Sequence, residues 1–164
     1  MDRVRGRHAH PLENRTIVVA VDESPASPDA VALGAQLVAQ RGQLVFVHVL
    51  VVPLEFPLEA PPEPEEEARR QRARDLLVRC QALADRYGVT SRRVLERRHA
   101  VGPAIVDVLE RHRADLALVG GEQRLSRSGR VRLGPTAAYV LRHARCPVLL
   151  VSAGAAAAAG RRVA

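Results

Sequence analysis

Short apolar runs alternate with helical segments along this chain, and that alternation limits the fold more than any other feature. The predicted strands span residues 16–21, 43–52, 89–99, 116–119 and 147–151. The first two are continuous apolar runs, a pattern typical of strands that are buried on both faces. Strands that alternate with helices form a parallel sheet with helices on both faces. The sequence therefore predicts a three-layer α/β/α fold around a five-stranded, mainly parallel, doubly wound sheet.

Four predicted helices connect the strands, over residues 28–40, 65–87, 102–112 and 135–142. We expect Ser27 to be the N-cap of the first helix, because Pro28 behind it suits the first helical position. Residues 15–152 are predicted to form one domain, which agrees with a length of 164 residues. Residues 1–14 are predicted to be a flexible basic arm, and residues 153–164 a disordered Ala/Arg tail.

The composition argues against a membrane protein and against a secreted protein. No run reaches the roughly 18 apolar residues that a membrane helix needs. The basic N-terminus has no apolar segment behind it, so it is not a secretory signal. Cys80 and Cys146 are isolated and form no CxxC motif, which indicates a reducing compartment. We therefore expect a cytoplasmic protein with no membrane partner.

The chain is strongly basic, with a net charge of +7 and a pI near 11.0. Such a charge attracts nucleic acid. However, aromatic residues make up only 2% of the chain, so the usual stacking platform for bases is missing. A solvated arginine surface is the favoured interpretation, and nucleic acid is not expected as a partner.

Two candidate ligand elements follow predicted strands. Parallel sheets bind ligands at the carboxyl ends of their strands, where the strand order reverses. Asp22 follows the first strand and serves either a ligand or the turn into the next helix, while Gly120-Gly121 follows the fourth. A glycine-bounded loop that leads into a helix at Gly134-Pro135 is a place where phosphate can sit. His48, inside a strand, is expected to have a structural role.

The sequence contains no recognisable catalytic constellation. There is no Gly-x-Ser-x-Gly elbow, no Cys/His pairing and no pattern of paired carboxylates. The histidines show no metal-ligand spacing with cysteines or carboxylates. We therefore expect no catalytic residue, no protein-held metal and no dedicated enzymatic activity.

Four segments together resemble the universal stress protein family. They are Ala20-Val21-Asp22-Glu23-Ser24, His48-Val49, Gly102-Pro103-Ala104, and VLRHARCPVLLV at 140–151. The resemblance covers about residues 15–152. It implies a Rossmann-like fold of the adenine nucleotide alpha hydrolase type and a cytoplasmic role in the stress response. It also implies a dimeric sensor that binds ATP, with magnesium, and that hydrolyses ATP at most slowly and incidentally.

The resemblance also implies which residues meet the nucleotide. Ala20, Asp22 and Val49 would meet adenine. Val119 and Gly120 would meet the ribose. The phosphates would lie near Gly134 and Thr136, with Gly121 and Arg124 in the same nucleotide-binding loop.

This chain departs from the family's Gly-x2-Gly-x9-Gly-Ser/Thr loop. Counted from Gly121, Arg124 stands at the second glycine and Pro135 at the Ser/Thr position. Counted from Gly120, the second glycine is Gln123 and the spacer is one residue too long. The loop arginines either bind phosphate by bidentate hydrogen bonds or form a solvated basic loop. Two functions therefore stay open: an adenine-nucleotide sensor, or a protein-interaction scaffold that binds no nucleotide.

The last predicted strand indicates a homodimer. Residues Pro147–Val151 form an apolar segment that is expected at a sheet edge, and an exposed edge of that kind tends to find a partner. Family members commonly pair through this strand, so the resemblance implies the same interface here.

Overall fold

The computed structural model describes residues 15–38, 40–121, 124–125 and 131–153. The predicted N-terminal arm lies outside these residues, and so does the predicted C-terminal tail from residue 154 onward. Gln123 and residues 126–130 of the loop after the fourth strand lie outside them as well. For 124–125 and 131–132 only the backbone is described.

The described residues form seven strands and four helices. In chain order these are β1 (Thr16–Ala20), α1 (Ala26–Leu37), β2 (Gln43–Val51), α2 (Pro64–Asp85), β3 (Thr90–Arg98), α3 (Val101–Arg111), β4 (Leu116–Gly120), β5 (Arg124–Leu125), β6 (Val131–Arg132), α4 (Pro135–His143) and β7 (Val148–Val151). Each of the five predicted strands and four predicted helices has its counterpart, with bounds that differ by a few residues.

The main sheet has the order β3-β2-β1-β4-β7, and all of its neighbouring strands run parallel. The predicted α/β fold is thereby confirmed. The strand order reverses between β1 and β4, which is the point where doubly wound sheets bind ligands. β5 and β6 pair antiparallel within the β4–α4 loop. The sequence did not predict them, because two-residue strands are too short for a periodic pattern.

The core lies in two layers, one on each face of the sheet. Ile17 and Val19 of β1 pack with Phe46 beneath α1 and α2. Val18 points to the other face and packs with Val108 beneath α3 and α4. Alternate residues of one buried strand therefore serve both layers, as the period of two along a strand requires.

Helix α1 begins earlier than its capping pattern predicts. Its first residue is Ala26 and its N-cap is Pro25, so the prediction that Ser27 is the N-cap is wrong. Ser27 lies in the first turn, and its hydroxyl is bound to Asp22 instead of to a helical N–H group. Pro28 is tolerated there because N–H groups of the first turn have no partner within the helix.

A buried ion pair fastens the proline-rich crossover between β2 and α2. Glu66 is 7% exposed, and its carboxylate accepts from Arg97 Nε at 2.6 Å and from Arg97 Nη2 at 3.0 Å. Arg97 Nη1 also donates to the carbonyl oxygen of Leu58, which lies in the crossover. The hydrogen bond with Arg97 lowers the pKa of Glu66. This arginine therefore joins β3, α2 and the crossover.

Gly102 lies where α3 packs against α4. A Cβ atom at this position would lie 2.8 Å from the Cβ, Cγ and Cδ1 atoms of Tyr139. Contacts this short do not occur between real side chains, and Tyr139 Cβ cannot move without its backbone. The glycine of the Gly-Pro pair thus has a packing role at this helix crossing.

We predict that Gly102→Ala lowers the free energy of unfolding by about 1–3 kcal/mol, because overpacking outweighs the better helix propensity of alanine. Denaturant titration of both proteins measures the difference. Gly121→Ala is the control, since among the described residues a Cβ there meets only Leu150 Cβ, at 4.0 Å. Equal stability of Gly102→Ala and the wild type would contradict the close packing of α3 on α4.

Candidate functional site

A cleft of ≈ 190 Å³ opens between the carboxyl ends of β1 and β4, on the face that α3 and α4 cover. It lies at the point where the strand order reverses, as the sequence predicted. The residues of its wall come from β1, β2, β4, α3 and α4 and from the turn after β1. Because they are distant in sequence, only the folded chain brings them together.

Six of the nine predicted site residues line this cleft: Ala20, Asp22, Val49, Val119, Gly120 and Thr136. Gly121 does not line it, and its N–H group donates to the carbonyl oxygen of Val151 at 3.0 Å. Gly134 is the exposed N-cap of α4 and does not line the cleft either. The side chain of Arg124 lies outside the described part of the chain.

Five further residues line the cleft without having been predicted as site residues: Val21, Val47, His48, Val101 and Ile105. Four of them are apolar and carry the same pattern as core residues. Val101 and Ile105 are four positions apart on the first turns of α3, so they share one face of that helix. The sequence contains no signal that would separate this face of α3 from an ordinary core face.

Asp22 is held in place by two serines of the turn that follows β1. Its Oδ1 atom accepts from the N–H of Ser24 at 2.9 Å and from the hydroxyl of Ser27 at 3.1 Å. The N–H of Asp22 in turn donates to Ser27 Oγ at 2.9 Å. Both of these hydrogen bonds fall on Oδ1, and the side chain of Ser24 interacts with the same carboxylate. Each carboxylate oxygen can accept more than one hydrogen bond, so the group can still accept from a ligand.

The same surroundings keep Asp22 ionised. Partial burial opposes ionisation, but hydrogen bonds from Ser24 and Ser27, together with nearby His48, outweigh it. The pKa of Asp22 therefore lies below its ordinary value. The cleft thus carries a negative charge, on a side chain whose position is set by the turn.

His48 has the structural role that the sequence predicted, although its ring also lines the cleft. Its Nδ1 lies 2.8 Å from the carbonyl oxygen of Val21 and donates to it, since a carbonyl can only accept. This bond ties β2 to the segment that leads from β1 to Asp22. His48 therefore supports the turn that positions the carboxylate.

The described residues show few alternatives to this cleft as a chemical site. Within them no group of three or more His, Cys, Asp or Glu side chains is arranged to hold a metal ion. Burial raises the pKa of the Cys80 thiol to about 11, and burial also raises the pKa of Cys146. Both thiols are thus protonated at neutral pH, and a protonated thiol is a poor nucleophile. None of the described helices combines the length and apolar character of a membrane span.

The fold and the cleft define a doubly wound α/β protein with an open cleft at its topological switch point. The sequence matches the universal stress protein family over residues 13–152. Because the match covers most of the chain, this protein belongs to the universal stress protein family. A search of curated protein sequences finds no match to it.

Solved structures of family members share the fold. A universal stress family protein from Burkholderia pseudomallei is 27% identical, with a TM-score of 0.62 over 84% of this chain and 95% of that chain. A universal stress protein in complex with cAMP is 25% identical, with a TM-score of 0.59 over 86% and 98%. The Archaeoglobus fulgidus protein in complex with dAMP is 22% identical, with a TM-score of 0.63 over 83% and 96%.

We predict that Asp22→Asn lowers the free energy of unfolding by about 0.5–1 kcal/mol at neutral pH, since hydrogen bonds to a charged acceptor are stronger and partial exposure weakens them. A lowered pKa in the folded state means that ionised Asp22 stabilises the fold above its unfolded pKa of about 3.9. That contribution disappears as the pH falls through the lower folded value. Denaturant titrations of both proteins between neutral and acidic pH should therefore converge on acidification. A difference that stays constant would contradict the assigned hydrogen bonds.

Proposed function

We propose that this chain is a stress-response protein that binds an adenine nucleotide, ATP with magnesium, in the cleft between β1 and β4. In this proposal it acts as a dimeric sensor without dedicated catalysis. The observation that carries the proposal is the assembly of Ala20, Asp22, Val49, Val119, Gly120 and Thr136 around one cleft. The complexes of two relatives with cAMP and dAMP support the same class of ligand.

The volume of the cleft suits the base of a nucleotide and not the whole nucleotide. Small-molecule pockets typically enclose about 300–1,000 Å³, and this cleft is smaller, at ≈ 190 Å³. Its walls include Val49, Ile105 and Val119, which present apolar surface to a flat ring. The base would lie between these side chains, while ribose and phosphates would extend toward Gly120 and the β4–α4 loop.

The carboxylate of Asp22 would supply polar recognition. Its Oδ2 atom can accept from the exocyclic amine of adenine or from a ribose hydroxyl. Ser24 and Ser27 hold the carboxylate in position before any ligand arrives, so little conformational entropy is lost on binding. A fixed acceptor at the mouth of an apolar cleft favours a ligand that brings a donor.

The phosphates would lie near the start of α4. Thr136 lines the cleft and offers a hydroxyl there, whereas Pro135 at the first helical position has no N–H group to offer. The backbone ladder of β5 and β6 pairs Arg124 with Arg132. Like charges at paired positions repel each other, and a phosphate bound there would offset that repulsion. Arginine would thus replace the lost backbone donors. Magnesium would arrive with the phosphates.

Calorimetric titration with ATP and magnesium tests the proposal. We predict saturable binding by the wild-type protein and at least tenfold weaker binding by Asp22→Ala, because a charged hydrogen-bond acceptor is removed from the site. Glu23→Ala is the matched control, since this neighbouring carboxylate does not line the cleft. Phosphate release by the ATP complex should stay near the uncatalysed rate.

Absence of binding in the wild type would overturn the nucleotide proposal. The scaffold function would then be preferred, and the exposed Gly134 and the proline at the start of α4 already point in that direction. Equal losses in Asp22→Ala and Glu23→Ala would show that the bound nucleotide lies outside this cleft.

The two edges of the sheet support a homodimer through β7. β3 forms one edge and bears four arginines within the sequence TSRRVLERR, so self-pairing there would bring like charges together. β7 forms the other edge, has the sequence VLLV and carries no charge. Leu149 of β7 is 38% exposed. The apolar edge is therefore the one on which a second copy would pair.

We predict that the wild-type protein sediments as a dimer at micromolar concentration and that Leu149→Arg sediments as a monomer. The added charges would face each other across the paired edge strands. Val78→Arg, at a 48% exposed position on α2, is the control and should remain dimeric. A monomeric wild type would refute the β7 interface, and a dimeric Leu149→Arg variant would place the contact elsewhere.

A further inference from the structure

Two adjoining cavities lie along α2, on the face of the sheet opposite to the cleft. They have volumes of ≈ 310 Å³ and ≈ 380 Å³, and they share Glu23 and Leu76 as lining residues. We call them together the α2 groove. The groove borders the cleft and shares His48 and Asp22 with it, but most of its remaining lining residues belong to α2, whereas α3 and α4 cover the cleft.

The first cavity presents two arginines to one space. Arg69 and Arg72 are three positions apart on α2, so they lie on the same face of that helix. Arg69 Nη1 donates to the carbonyl oxygen of Val51 at 3.3 Å, which holds the guanidinium near the end of β2. Arginine is suited to bidentate recognition of carboxylates and phosphates.

The charge of this cavity suits a ligand with one negative charge. Two arginines face one carboxylate, that of Glu23, so one positive charge is left over. His48 completes the polar lining, with its Nδ1 bound to the carbonyl oxygen of Val21. A doubly charged group would meet repulsion from Glu23, and a neutral group would gain no attraction from the arginines, which are exposed to solvent. Leu50 and Ala73 complete the wall and present apolar surface beside the arginines.

The second cavity continues the groove with an apolar stripe. Leu76, Cys80 and Leu83 are spaced four and three positions apart, so they form one continuous face of α2. Leu76 and Cys80 belong to the core and are 7% and 6% exposed, and the half-buried Leu83 packs against them, so only the outer edge of this stripe meets the cavity. The protonated Cys80 thiol behaves there as a small apolar group. Across the cavity, Asp22 and Ser27 bind each other, which satisfies part of the polar wall internally. Arg79 lies at the same cavity.

We propose that the α2 groove binds a small amphipathic monoanion, a medium-chain carboxylate, with its head group at Arg69 and Arg72. Its hydrocarbon chain lies over Leu76 and continues toward Cys80 and Leu83. The arginine pair supplies charge complementarity, and the stripe supplies apolar contact. Neither the arginine pair nor the apolar stripe lines the nucleotide cleft, so this proposal can be tested without nucleotide.

Calorimetric titration of the whole protein with butanoate, hexanoate and octanoate tests the hydrocarbon part. The dissociation constant should fall by up to about fourfold for each methylene that the groove buries. A dissociation constant that does not change with chain length would overturn the proposal, because the apolar stripe would then contribute nothing.

Paired arginine variants test the head group. Arg69→Gln combined with Arg72→Gln should weaken octanoate binding at least tenfold. Arg70→Gln combined with Arg74→Gln removes the same charge from the same helix, at positions that do not line the groove but face Glu67, and should bind as the wild type does. Equal losses in both double variants would show a general charge effect and would overturn the assigned head-group site.

Amide chemical shifts locate the bound ligand. Octanoate should shift amide signals of α2 between Arg69 and Leu83 and leave those of Val101 and Ile105 in the cleft unchanged. Shifts confined to α3 would place the ligand in the cleft and refute the α2 groove. These titrations are made without nucleotide, so a wild-type protein that fails to bind ATP would leave their result untouched, and the two proposals fail independently.

Discussion

The hydrogen bonding of β1 on both of its edges is the constraint on which the rest of this structure depends. β1 pairs in parallel with β2 on one side and with β4 on the other. Ile17, Val18 and Val19 are fully buried, so neither face of the strand meets water. A strand enclosed in this way forces each following helix to cross over one face of the sheet. The chain winds outward in both directions from β1, and a gap opens where the order reverses.

The charged group in that gap is a carboxylate that one short turn holds in place. Asp22 leaves the end of β1, and the serines of the turn hold its carboxylate while His48 ties the same segment to β2. The carboxylate stands at the border between the two faces of the sheet, because it lines both the cleft and the α2 groove. Ligands on opposite faces would thus share one wall.

The fold was largely predictable because its signals are local and repeated. Buried parallel strands are continuous apolar runs, as in residues 43–51, and helices such as α2 and α4 are opened by proline at their first positions. Capping was less predictable. Ser27 stands before a proline, as an N-cap residue often does, but its hydroxyl donates to Asp22 in the turn after β1. Helix propensity does not predict that contact.

The sequence by itself determined the alternation of strands and helices, the carboxylate after β1 and the apolar last strand. Each of these depends on residues that are close together in the chain. Tertiary structure alone decided which residues surround each cavity. Val101 and Ile105 complete the cleft, whereas Gly121 and Gly134 lie outside it. Arg69 and Arg72 share a second cavity with Glu23. The physical reason is that the walls of a cavity are set by how helices pack across a sheet. That packing depends on close contacts such as Gly102 against Tyr139, which join residues distant in sequence.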